Sequence, residues 1–89
     1  MYKIKQYSYD QAKKLGVTIK PSESKNKKID VFKDDKFICS IGDSRYKDYP
    51  TFLEIDKDLA ENKKKLYHLR HHKENIPNTK GWYALKILW

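Results

Sequence analysis

Hydrophobic and polar residues alternate in the first half of the chain and recur every three or four residues in the second. Tyr2 and Ile4 alternate with lysines, which predicts a short first strand. Ser8 followed by Gln11 fits a capping box, placing a two-turn helix over residues 9–15, with Gly16 as its left-handed terminus. Val17-Thr18-Ile19 is β-branched and favours a strand, and Pro21 stops any second helix. The helix-turn-helix that Ala12 to Val17 could open therefore has no second helix. After a polar loop over residues 21–26, residues 27–33 read as a strand with Ile29 and Val31 on one face and Asp30 and Phe32 on the other. Asp34-Asp35 is a turn. Residues 36–41 return as a second strand with Phe37, Cys39 and Ile41 sharing a side. Phe32 and Ile38 lie on the opposite sides, so part of the second sheet face is expected to be covered.

The period then changes. Pro50 holds Tyr49 extended, and Thr51 with Glu54 forms a second capping box that starts a helix at Phe52. A break is expected across residues 55–58, with Asp58 and Glu61 capping a restart. Leu59, Leu66 and Leu69 then mark a buried stripe, flanked by Ala60 and Tyr67. Pro77 lies in a loop over residues 75–80. The closing Gly81 to Trp89 carries Trp82, Leu85 and Trp89 at helical spacing, too apolar for a free end, so it docks in its own core or at a dimer interface. The expected fold is α+β: a small antiparallel sheet of two or three strands against one long helix, with short N- and C-terminal helices, in a single domain over residues 1–89.

Length and composition narrow this further. A chain of 89 residues buries a thin core, and 7 Tyr, 3 Phe and 2 Trp supply the large apolar faces it needs. One cysteine rules out an internal disulfide or a multi-cysteine zinc site; Cys39 reads as a buried, inert thiol in a reducing compartment. The first residues lack the apolar run of a signal peptide, and no stretch is long enough for a membrane span.

Charge changes the picture most. The formal net charge is +8, split into +6 over residues 1–33, −4 over residues 34–61 and +6 over residues 62–89. Two basic blocks brought together by the fold would make one face for a polyanion. The candidate contacts are Lys13, Lys14, Lys25, Lys27 and Lys28 from the first block. Lys63, Lys64, Lys65, Arg70, His71, His72 and Lys73 come from the second. Lysines on a helix and a loop suit phosphates, which position a protein without reading sequence. Tyr46 and Tyr49 are candidate stacking platforms. The expected partner is DNA, with RNA second, bound with little sequence preference.

Other chemistries are weaker. Asp43, Asp48 and Glu54 lie close enough in sequence to suggest a metal-dependent nuclease, as do His71 and His72 with Glu74 and Asn75, but no nuclease motif is matched. His68 and His72 share a helical face, yet Leu69 stands where a zinc-protease motif requires Glu. No catalytic residue, metal or cofactor is assigned.

Several runs also carry a resemblance: Tyr7-Ser8-Tyr9-Asp10, Leu15-Gly16-Val17, Lys20-Pro21-Ser22, Lys27 to Phe32, Ser40-Ile41-Gly42-Asp43 and Asp48-Tyr49-Pro50-Thr51. With Tyr67, Arg70-His71, Gly81, Tyr83-Ala84 and Ile87-Leu88-Trp89, they resemble a family of short basic proteins from large double-stranded DNA viruses of eukaryotes. The resemblance covers nearly the whole chain. It implies a virion protein, present in host cytoplasm or nucleus during infection, with a part in genome packaging or virion organisation. Lys63-Lys64-Lys65 stands where that family tends to carry arginines; lysine keeps the charge and loses the bidentate fork. The second function class the residues allow is a virion structural or protein-interaction module that does not touch nucleic acid.

Overall fold

The computed structural model describes residues 2–89, and their order is α1 (Gln6–Leu15), β1 (Thr18–Pro21), β2 (Lys27–Lys33), β3 (Lys36–Asp43), α2 (Tyr49–Ile55), α3 (Lys57–Arg70), a single 3-10 turn (His72–Glu74) and α4 (Lys80–Ile87). The class is α+β, with a three-stranded antiparallel sheet in the order β1-β2-β3 packed against helices. Short helices stand at both ends, and α3 is the long one. The sheet packs chiefly on α1 and α4, whereas α3 lies against α2.

The hairpin forms where alternation places it. Asp34 and Asp35 both take positive φ, 52° and 64°, the left-handed pair that matches the twist of a two-residue hairpin. Ile29 pairs with Ile41, Val31 with Cys39, and Ile19 with Val31 across the other edge. Ile29, Val31 and Ile41 are completely buried. A bulge then slips the register, because Phe32 pairs with Phe37 and leaves Ile38 as the extra residue. The bulge overturns the expectation that Phe37 points inward with Cys39 and Ile41. Phe37 is exposed and meets Phe32 edge-on at 5.8 Å, while Ile38 turns toward the core.

The N-terminal expectations need correction. Residues 2–5 form no strand, and Ile4 instead joins the core directly. Helix α1 begins at Gln6 without a side-chain cap, so Ser8 is no capping residue. It is buried within the helix, where its hydroxyl donates to the Ile87 carbonyl at 2.9 Å and ties α1 to α4. Gly16 does end α1 at φ 74°, its N–H reaching the Ala12 and Lys13 carbonyls.

Asp48, not Thr51, caps α2, accepting from the Thr51 N–H at 3.0 Å; Pro50 sits in the first turn, where its missing N–H costs nothing. Likewise Asp56, not Asp58, caps α3 after the expected break, accepting from the Asp58 and Leu59 N–H groups. The larger correction concerns α3 itself. Leu59, Leu66 and Leu69 do not form a buried stripe: they are exposed, Leu69 by 69%. The inward face consists of fully buried Ala60 with half-buried Lys64, Tyr67, His68 and His71. The C-terminal segment docks in its own core, with Tyr83, Leu85, Ile87 and Leu88 buried and Trp89 stacked on Tyr67.

Candidate nucleic-acid interface

Three elements meet between the β3–α2 connection, the inner face of α3 and the end of α4, and they leave an open cleft of about 760 Å³. Its floor is aromatic. Tyr67 and Trp89 stack with centroids 4.3 Å apart and planes within 6°. His71 stacks on Tyr67 at 4.1 Å, and Phe52 tilts against Trp89 at 6.3 Å. Three one-turn steps of α3, from Ala60 through Lys64 and Tyr67 to His71, put these side chains on one face. His68 and Tyr7 both reach the Trp89 carbonyl, each at 3.3 Å, which holds the terminal indole in place. Tyr46 also lines the cleft and is 70% exposed.

The walls are cationic. Lys27 comes from β2, Lys47 from the connection before α2, and Lys63 and Arg70 from α3. Lys63 hangs over the Phe52 ring at 5.9 Å. The Lys80 ammonium beside it holds the Lys27 pKa below the usual lysine value, with Asp43 partly offsetting the repulsion. Two carboxylates lie close by, and both are engaged. Asp43 makes a two-pronged contact with Arg45 at 3.0 and 2.7 Å, which keeps its carboxyl well below the usual range. Glu74 pairs with His71 at 2.7 Å.

The structure sorts the twelve sequence candidates. Lys27, Lys63, Arg70 and His71 line the cleft, so members of both basic blocks do meet there. Lys65, His72 and Lys73 are exposed and do not line it, and Lys25 sits exposed on the loop before β2. Lys13 and Lys14 are exposed in the last turn of α1, where they also suit the helix dipole. Lys64 is drawn inward, its ammonium 4.7 Å over the Tyr49 ring and 6.0 Å over Tyr7. The run Lys63-Lys64-Lys65 therefore divides three ways, as successive helical residues must.

Lys28 also lines the cleft, but only with its stem; its charge is not available there. Its ammonium is buried on Asp48 Oδ2 at 2.7 Å, with the Tyr2 ring 5.2 Å away. Asp48 is saturated: Tyr2 Oη donates to it at 2.7 Å, and Thr51 donates from both its N–H and its hydroxyl. Burial alone would raise the Asp48 pKa, but hydrogen bonds from Lys28, Thr51 and Tyr2 outweigh that and hold it low. Burial, then the bond to Asp48, pushes the Tyr2 phenol upward.

Lys47, which lines the cleft, and Lys80, which stands beside Lys27 without lining it, were missed by sequence reasoning. Both are single lysines outside the basic runs; only their places beside Tyr46 and before Gly81-Trp82 marked them.

The nuclease and zinc arrangements are not assembled. Asp43, Asp48 and Glu54 each hold a different cation, Arg45, Lys28 and Lys5. His68 and His72 turn to separate backbone carbonyls, of Trp89 and Leu69. Among the described residues no group of three His, Cys, Asp or Glu side chains is placed to hold a metal ion. Cys39 is half-buried, and burial raises its thiol pKa, which disfavours the reactive thiolate. No family model, curated protein or solved structure matches the chain.

Proposed function

We propose that this chain binds nucleic acid through the cleft between β2, the β3–α2 connection and α3. One observation carries the reading: cations from both basic blocks, Lys27 on one side and Lys63 and Arg70 on the other, line the same aromatic-floored cleft. Phosphates lie along the cationic walls, and the exposed Tyr46 ring offers a base a face to stack on. A cleft of this kind admits an unpaired strand more readily than a duplex, so single-stranded DNA or RNA binds more tightly than the same sequence paired. Lysine-dominated contacts give little discrimination among sequences. The resemblance to viral basic proteins supplies the setting, genome packaging or virion organisation.

The test is a titration of labelled oligonucleotides at low salt. Affinity for a single strand above that for its duplex, lost in a Tyr46→Ala, Arg70→Gln variant, supports the reading. No complex with either form rejects it. A second reading, a virion structural or protein-interaction module, draws support from the exposed leucines of α3.

A further inference from the structure

Helix α3 carries two faces of opposite use. Ala60, Lys64, Tyr67 and His71 face the molecule. Leu59, Asn62, Leu66 and Leu69 follow one another at steps of three, four and three residues on the far side. All three leucines are exposed, at 36%, 42% and 69%, and Ile55, just before the helix, is exposed at 59%. An apolar seam of this spacing on the longest helix of a chain that is otherwise 36% charged is not needed by the fold, which packs α3 from its opposite face.

We propose that this seam is where a second copy of the same chain docks, α3 against α3, antiparallel. Charge along the helix selects both the partner and the direction. Asp56, Asp58 and Glu61 occupy its beginning, whereas Lys63, Lys65 and Arg70 follow in its second part. Two parallel copies would set acidic start beside acidic start and basic end beside basic end, with Lys65 of one against Arg70 of the other and only Asp58 finding an opposite charge, in Lys63. Two antiparallel copies set the acidic start of each helix against the basic end of the other, with Asp56 facing Arg70. In that register Leu59 of one copy meets Leu69 of the other, and Leu66 meets Asn62. A dimer through the C-terminal aromatics would draw on Tyr83, which is buried, and on Trp89, which already stacks on Tyr67.

Two forces oppose the pairing. Lys63 and Lys65 each meet their own counterpart at the centre of the seam, and each copy carries a net +8. Both repulsions are screened by salt, while the leucine contact is not. The dimer therefore tightens as salt rises, the opposite of the trend expected for nucleic-acid binding. Association of the protein alone thus tests this interface independently of the cleft.

Sedimentation velocity across a range of protein concentrations, at low and high salt, reads the association directly. The expected result is a monomer–dimer equilibrium that shifts toward dimer at high salt. Leu66→Glu and Leu69→Glu should each weaken it by about tenfold or more, while far-UV circular dichroism stays unchanged because both side chains are exposed. Direction is read by oxidative cross-linking in a Cys39→Ser background. Leu59→Cys should cross-link to Leu69→Cys when the two are mixed, and neither should cross-link efficiently to itself. A protein that stays monomeric at every concentration and salt, or a dimer indifferent to Leu66→Glu, overturns the proposal. Efficient self-cross-linking of Leu59→Cys overturns the antiparallel arrangement.

Discussion

Lys27 and Lys28 are neighbours in β2, and their ammonium groups end in opposite electrostatic surroundings. The Lys28 ammonium lies on Asp48, with the hydroxyls of Tyr2 and Thr51 on the same carboxylate. That of Lys27 has Lys80 beside it and, nearby, an Asp43 already held by Arg45. The first arrangement consumes a positive charge to join the N-terminal segment, β2 and the start of α2. The second leaves positive charge unneutralised at the wall of a cleft. Counting lysines therefore overstates a binding surface; what matters is which of them no carboxylate claims. Changes at the Asp48 cluster should move stability, and changes in the cleft should move affinity.

The largest effect expected is at Asp48. Asp48→Ala removes the cap of α2 and leaves Lys28 buried without its counterion, which should cost about 3–5 kcal/mol. In a domain of this size the folded state would be close to lost, as denaturant unfolding would report. Lys27→Gln, one residue from Lys28, should leave the unfolding midpoint where it is.

Acid provides a reversible version of the same break. The folded pKa of Asp48 lies below its unfolded value, so its stabilisation is complete above about pH 3.9 and is lost as pH falls through the folded pKa. A pH series of thermal melts should show stability dropping on that limb. Asp48→Asn, less stable at neutral pH, should show a shallower drop.

Gly42 comes next. It takes φ +80°, and a Cβ built there would stand 2.7 Å from Leu88 Cδ1, with the Lys28 stem near 3 Å. Gly42→Ala should therefore cost about 1–3 kcal/mol through crowding and backbone strain, read as a lower denaturant midpoint.

The smallest effect separates two adjacent lysines of α3. Lys64→Ala removes an ammonium held over Tyr49 and Tyr7 and should cost about 0.5–1 kcal/mol. Lys65 is exposed on the other side of the helix, and Lys65→Ala should cost the fold nothing measurable in chemical denaturation.

Much of the fold was legible because local patterns decided it. The β2–β3 hairpin follows from alternating side chains around Asp34-Asp35, the end of α1 from Gly16, and the docked C-terminus from its density of large apolar residues. What was illegible depended on partners distant in sequence. A lysine at position 28 of a strand reads as solvent-facing until Asp48, twenty residues on, is seen to accept it. Asp48 and Thr51 are both good caps three residues apart, and the ion pair helps settle which one serves. The stripe on α3 was misassigned for a different reason. Both faces of that helix satisfy a three-to-four spacing, and leucines outrank Ala60, Tyr67 and His71 on any hydrophobicity scale. Contact with Trp89 reversed that ranking. Of the candidate site, four of the twelve residues reach the cleft with their charge or ring, while its aromatic floor could be read only once Tyr67 and Trp89 were seen stacked.

The most direct test of the account is the salt dependence of affinity for a short single-stranded oligonucleotide, measured by fluorescence anisotropy for the unmodified protein and for a Lys27→Gln, Arg70→Gln double variant. If the cleft holds the phosphates, log affinity falls steeply with log salt in the unmodified protein. The double variant should then show a slope smaller by about 1.4, two phosphate contacts at about 0.7 each, with an unchanged melting temperature. Equal slopes for the two proteins would contradict it.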